Sequence, residues 1–398
     1  MTCLRTNSCL KLRGKRVLKF CVVLSLSLSL GARALAQETP QTCLQAERQL
    51  QVAQAAEARA DWTGALVSYR EATRVAPACA EATVNLGVIY NRLNQPEQAI
   101  EAFRQAIALQ PRLAAAHLNL GITYFRATRH ELAARALASA LAIEPRNLQA
   151  HRLLALTHVA REQFAEAAAE LETTIALSPD DAASLQALGE TYLRLKQYRK
   201  AVAHLERLIE LKPDAAKAHL LLGEALDNAG DSERAIEALR RAVEIDTKLP
   251  EAHYALGYAL LKRGSLDEAA LQFAEELRLN PAMLLARYQL GKIHFQRGSL
   301  DEAVAHLTKV LEAEPDFRPG LETLGQVLLK QNSAAQAVTV LERAVGLDPA
   351  WPQGFALLGR AYTLAGRRAD ARRAFDMARR LGEEERRRLE EKVSKPKS

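Results

Sequence analysis

Nine histidines and five cysteines are the residues of this 398-residue chain best suited to metal, acid–base or nucleophilic work. Such chemistry needs them convergent, because metal–ligand bonds are only about 2 Å long. Instead they recur. His117, His151, His219 and His253 lie 34, 68 and 34 residues apart, and His158 and His294 are separated by four further steps of 34. Side chains spaced so evenly sit about a helix-pair width from one another, too far for one ion to bridge, and are expected to pack at a core or rim. A His-Glu-x-x-His zinc pair, a Gly-x-Ser-x-Gly elbow and a phosphate-cradling Gly-x-x-x-x-Gly-Lys loop are all missing. No catalytic residue, metal ligand or cofactor is expected, and the chain reads as non-enzymatic.

The cysteines divide by region. Cys3, Cys9 and Cys21 fall within the first 36 residues, which carry seven Lys/Arg, no acid, and the apolar stretch Phe20–Leu30 before Ala34-Leu35-Ala36. That is the layout of a secretory signal with cleavage before Gln37. Eleven residues fall short of the roughly 20 that a spanning helix needs, and an uncleaved anchor is the alternative. Export to a periplasm or the outside is expected, with no membrane insertion after cleavage. In an oxidising compartment, Cys43 and Cys79 form either a disulfide stapling the N-terminal edge or two free thiols. The net charge of +7 has the same origin. Beyond Ala36 the 47 remaining bases equal the 47 acids, so a nucleic-acid partner is not indicated.

The elements that position these residues follow from one period. Pro77, Pro111, Pro145, Pro179, Pro213, Pro281, Pro315 and Pro349 keep a 34-residue step, with Thr247 at the single missing beat. With each proline numbered position 32, ten frames begin at 46, 80, 114, 148, 182, 216, 250, 284, 318 and 352 and run to about 385. Position 20 is alanine in all ten, from Ala65 to Ala371. Position 8 is glycine in eight, with Ala53 and Ala155 the exceptions. Helix formers dominate and aromatics are 5%, so the fold is expected to be all-α. Each frame holds two helices split near position 15, where Gly230, Gly264, Gly298, Gly366, Asn94 and Asn332 suit a left-handed turn. Glycine at position 8 costs about 1 kcal/mol against alanine in a helix. Close approach of the paired helix, small at position 20, is the expected return. Residues 37–45 form a lead-in. Residues 383–398 are expected to be a polar capping helix over the last frame, followed by a tail.

This pattern resembles the tetratricopeptide-repeat family over residues 46 to about 385. The resemblance implies a right-handed superhelical solenoid of about ten helix-turn-helix repeats that binds a partner protein in a groove lined by positions 2, 5, 9 and 12 of the first helices. Carried onto this chain, those positions give Val84, Val88, Leu118, Ile122 and Phe125, then polar Gln186, Glu190, Glu224 and Asp227. Tyr254, Tyr258, Leu261, Tyr288, Lys292 and Phe295 follow. Packing between neighbouring helices is the alternative use of the same residues. The family's carboxylate-clamping lysine at position 5 with asparagine at position 9 is absent. The expected function is a partner-binding scaffold of the periplasm or envelope. The alternative is a membrane-tethered assembly factor for secretion, pilus or polysaccharide export. From Arg360 onward, 13 Lys/Arg face 7 Asp/Glu, which is either a solvated cap or a dock for an anionic partner.

Overall fold

The computed structural model describes residues 41–394. The expected leader, residues 37–40 of the lead-in and the last four residues lie outside them. A 3-10 turn, Gln41–Ala46, precedes twenty α-helices, and no strand occurs among the described residues. The described residues divide into two compact units, 41–211 and 212–394. The first holds α1 (Glu47–Ala58), α2 (Trp62–Val75), α3 (Ala80–Arg92), α4 (Pro96–Leu109), α5 (Ala114–Arg126), α6 (His130–Ile143), α7 (Leu148–Ala160), α8 (Phe164–Leu177), α9 (Ala182–Arg194) and α10 (Tyr198–Leu211). The second holds α11 (Ala216–Ala229), α12 (Ser232–Ile245), α13 (Ala252–Arg263), α14 (Leu266–Leu279), α15 (Leu284–Arg297), α16 (Leu300–Ala313), α17 (Arg318–Lys330), α18 (Ala334–Leu347), α19 (Pro352–Leu364) and α20 (Arg368–Ser394).

Every frame therefore contains a helix pair, and in frames 1 to 9 the second helix ends two residues before position 32. A proline there lacks a donor and disfavours helix in the residue before it. The turn at position 15 is left-handed in all ten frames, including Ala60, Thr128, Glu162 and Lys196 at φ 55–59°. Composition pointed to only six of these. In the other four the packed helix pair imposes a conformation that costs an L-residue roughly 1–2 kcal/mol.

The space at position 8 is filled differently from expectation. A Cβ on Gly87 would lie 2.6 Å from Phe103, on Gly121 2.6 Å from Leu137, and on Gly223 2.4 Å from Leu239. The groups that need the room are position 24 side chains, not the position 20 alanines. In frames 1 to 9 position 24 is 2% exposed or less. Burying a Leu or Phe contributes about 1.5–3 kcal/mol, which outweighs the glycine cost of about 1. Position 20 still has to be small: its alanines are buried, and the Ala235 carbonyl stands 3.1 Å from the same Gly223 Cβ position. Where alanine replaces glycine, Ala53 and Ala155 are themselves buried.

Position 4 explains the recurrent histidines. Nε2 of His117, His151 and His219 lies 2.8–2.9 Å from the carbonyls of Pro111, Pro145 and Pro213, and His253 reaches Thr247 O at 3.1 Å. Arg287 donates likewise to Pro281 O at 2.8 Å. Each ties a first helix to a carbonyl of the turn that leads into it.

Two local departures matter later. Frame 7 begins with Pro250, and α13 starts two residues late after Glu251 at φ 68°. Glu276, 1% exposed, accepts from the Tyr254 amide at 3.2 Å and so caps that displaced start. Burial pushes its carboxyl up, against that hydrogen bond. The second departure is a correction. No separate capping helix covers frame 10; α20 runs unbroken from Arg368 to Ser394, straight through Gly382.

Cys43 and Cys79 are joined in a disulfide with Cα atoms 4.9 Å apart. The distance is short because the 3-10 turn curls residues 41–46 back, burying Cys43 beside Ala46, Ala72, Ala76 and Ala82. Both sulfurs belong to an apolar cluster that closes the N-terminal edge of the first unit.

Candidate partner-binding faces

First helices carry the groove positions, so each unit offers one face. In the first unit Val84 is 6% exposed and belongs to the core around Phe103 and Tyr124. It packs rather than lining an open surface. Val88, Leu118, Ile122 and Phe125 are half-buried. Val88 and Phe125 lean on that same core, and Leu118 and Ile122 on the cluster around Leu137 and Leu154. Asn91 donates to Thr123 Oγ1 at 2.7 Å, tying α3 to α5. Gln186 donates to Glu190 at 3.1 Å on α9. The face is largely apolar on α3 and α5 and polar on α9.

The second unit presents a more articulated surface. Tyr258 is 41% exposed at the middle of α13 and stacks on Tyr254, ring centroids 6.3 Å apart. Tyr254 in turn rests on buried Phe273 at 5.6 Å. Beside them Leu261, Gly264, Leu266, Lys292 and Gln296 line a cleft of about 420 Å³. Tyr288 is half-buried, packed edge-on to Phe317 at 5.2 Å, and burial pushes its phenol up. Lys292 lies 5.5 Å from the Tyr288 ring centre and Lys330 5.6 Å from that of Phe295. Lys262, by contrast, is paired with Asp227 at 2.7 Å. Burial pushes the Glu322 carboxyl up, opposed by Arg318 and Lys292.

An exposed tyrosine, an aliphatic floor and two ammonium groups on aromatic faces are suited to gripping side chains. Among the described residues no group of three or more His, Cys, Asp or Glu could hold a metal ion. The groove positions missed Gly264, Leu266 and Gln296, which lie at positions 15, 17 and 13. Of these only Gln296 carried a signal in the sequence, a polar residue one place beyond position 12.

Residues 23–255 match the family model described as "Cilia and flagella-associated protein 70 C-terminal domain", and residues 254–316 and 322–385 match that of the tetratricopeptide repeat. The chain belongs to the tetratricopeptide-repeat family. Its fold is an all-α solenoid, the architecture of a protein–protein interaction scaffold. No curated protein matches this tetratricopeptide-repeat chain. Among solved structures it is similar to the C-terminal part of a repeat-containing protein from Cytophaga hutchinsonii: 17% identity, 61% of this chain, 99% of that one, TM-score 0.52. It is also similar to YrrB, described as a TPR protein with an unusual peptide-binding site: 22% identity, 47% of this chain, 96% of that one, TM-score 0.43. Pseudomonas aeruginosa pilF is similar at 20% identity, over 51% of this chain and 92% of that one, TM-score 0.43.

Proposed function

We propose that this chain is an exported, non-enzymatic scaffold that holds a segment of a partner protein against the first-helix face of its second unit. The observation that carries the reading is Tyr258: a large aromatic, 41% exposed on a helix whose neighbours are buried, seated on Tyr254 beside the cleft of Leu261 and Lys292. Aromatic anchors at the centre of a pocketed surface are where binding energy concentrates. Tyr258 has no packing duty that needs its ring in water. The location rests on the leader pattern of residues 1–36 and on a buried disulfide, a bond that persists in oxidising compartments.

Affinity capture from envelope extract tests the binding. Wild type and Val67→Ala, which alters an exposed valine on α2, are expected to retain the same partner, and Tyr258→Ala to lose it with helicity unchanged. Equal capture by Tyr258→Ala overturns the reading. N-terminal sequencing of the mature protein is expected to begin at Gln37; a chain beginning at Met1 favours the tethered assembly factor instead.

A further inference from the structure

Frame 10 is the last frame among the described residues, and its second helix shows what the other second helices hide. Position 24 is 2% exposed or less in frames 1 to 9, yet Phe375 is 41% exposed. Phe375 still packs on its own first helix, where a Cβ on Gly359 would lie 2.7 Å from its ring. Its open side is the side that a following first helix would cover. The residues around it have changed character. Position 21 is apolar in frames 1 to 9, for instance Ile100, Ile236 and Val338, and is exposed Arg372 in frame 10. Position 28 is aliphatic in frames 2 to 9, for instance Ile107, Leu277 and Leu311, and is Arg379 in frame 10.

Residues 368, 372, 375, 379, 382, 386 and 389 recur at the three- and four-residue steps that keep one face of a helix. Read along α20, that face is Arg368, Arg372, Phe375, Arg379, Gly382, Arg386 and Leu389, with Leu389 57% exposed. Acids lie off this line. Asp376 pairs with Arg379, and Glu390 lies 4.0 Å from Arg386, while no ion pair engages the Arg368 or Arg372 side chains among the described residues. The stripe thus has apolar anchors at Phe375 and Leu389, two unpaired arginines in the turns before Phe375, and nothing covering it among the described residues.

We propose that this face of α20 docks an acidic amphipathic helix from another protein. A helix is the fitting shape, because the same positions receive one wherever a repeat follows. Acidity follows from Arg372, which replaces a seam aliphatic, and from Arg368 one turn before it: neither has an ion pair among the described residues, and a partner without carboxylates would leave both guanidinium groups desolvated and unmatched. A second copy of this chain is disfavoured at the same place: α20 against itself sets arginine opposite arginine. The N-terminal face of α1 offers Arg48 where frames 2 to 10 have Ala, Ser or Gly at position 3, again base against base. An anionic bilayer is disfavoured because Phe375 is held against Gly359 and cannot insert.

The test uses the full mature chain and a fluorescein-labelled 18-residue synthetic helix. The probe carries the first-helix pattern (Ala, Leu and Gly at positions 3, 7 and 8) with glutamate on its flanks; a twin carries lysine there. The glutamate probe is expected to bind at least tenfold tighter than the twin, and to weaken with salt. It is expected to lose tenfold or more of its affinity in Arg368→Glu/Arg372→Glu, and to keep its apolar contact with a weaker salt dependence in Arg372→Leu, which restores the residue type of the inner frames. Equal binding of the two peptides, or undiminished binding by the charge-reversed double variant, overturns the proposal. So do capture of the wild type by phosphatidylglycerol vesicles with no peptide binding, and self-association in sedimentation that Arg372→Glu abolishes. These readouts leave the Tyr258 face untouched, so either reading fails without the other.

Discussion

The left-handed turns allow the packing argument to be measured one torsion at a time. Thr128 sits at φ 57°, a region where its branched Cβ crowds the following carbonyl, at a cost of roughly 1–2 kcal/mol for an L-residue. Thr128→Gly removes that cost but gives the unfolded chain more freedom, which takes back about 0.5–1 kcal/mol. A net stabilisation of about 0.5–1 kcal/mol is expected, even though the mutation deletes the 2.7 Å hydrogen bond from the Thr128 hydroxyl to the exposed Ala127 carbonyl. The reverse change supplies the control. Gly230 occupies the same position at φ 92°, and a Cβ there would meet nothing within 4 Å, so Gly230→Thr adds the torsional penalty with no clash and is expected to destabilise by about 1 kcal/mol. Native-state hydrogen exchange of the amides in α5 and α6, and in α11 and α12 for the control, reads these changes locally, which matters because repeat arrays need not unfold as one unit. If Thr128→Gly slows no exchange, or speeds it, the helix pair does not impose the turn in the way argued.

Three further outcomes are expected. Gly223→Leu places its Cβ 2.4 Å from Leu239 and 3.1 Å from a backbone carbonyl and should destabilise the second unit by roughly 1–3 kcal/mol or more, read by urea titration; a neutral result would return position 8 to chance. Reducing the Cys43–Cys79 bond, which closes 36 residues, should cost the first unit about 4 kcal/mol in the chain-entropy model, and thiol titration of unreduced protein should find neither Cys43 nor Cys79 reactive. For Glu276 the direction of pH dependence follows from burial. The native state favours the protonated carboxyl, so its contribution is fullest below the ordinary carboxylate range and is lost as pH rises through the raised native value. Glu276→Gln should therefore flatten the fall in stability on the alkaline side of that range, and an unchanged pH profile would exclude the effect.

How far these features could be read from residues alone depends on whether a position speaks through identity or through surroundings. The prolines of position 32 and the alanines of position 20 constrain the backbone directly, and the helix boundaries follow them. Thr128, Glu162 and Lys196 are ordinary residues in a forced turn, and nothing in their chemistry marks it. Position 24 varies among Tyr, Phe and Leu, so its role as the group that excludes a Cβ from position 8 emerges only with the pair assembled. Residues 383–398 read as a new element because the composition changes there; one glycine, Gly382, without a following proline does not end a helix already begun at Arg368. Val84 and Tyr258 lie at groove positions 5 and 9 on equivalent helices, and only packing separates the buried one from the open one.

The two ends of the array are built to opposite tolerances. One edge is sewn by a covalent bond within a buried cluster, and the other finishes on a helix whose seam lies open around Phe375. A structure closed on one side and loose on the other loses order directionally. Its last frames are expected to come apart first, and limited proteolysis should trim the second unit from the C-terminal side in steps of about one repeat before it cuts the stapled edge of the first. Whatever seats on α20 would then also act as a stopper, delaying the loss of order in the last frames.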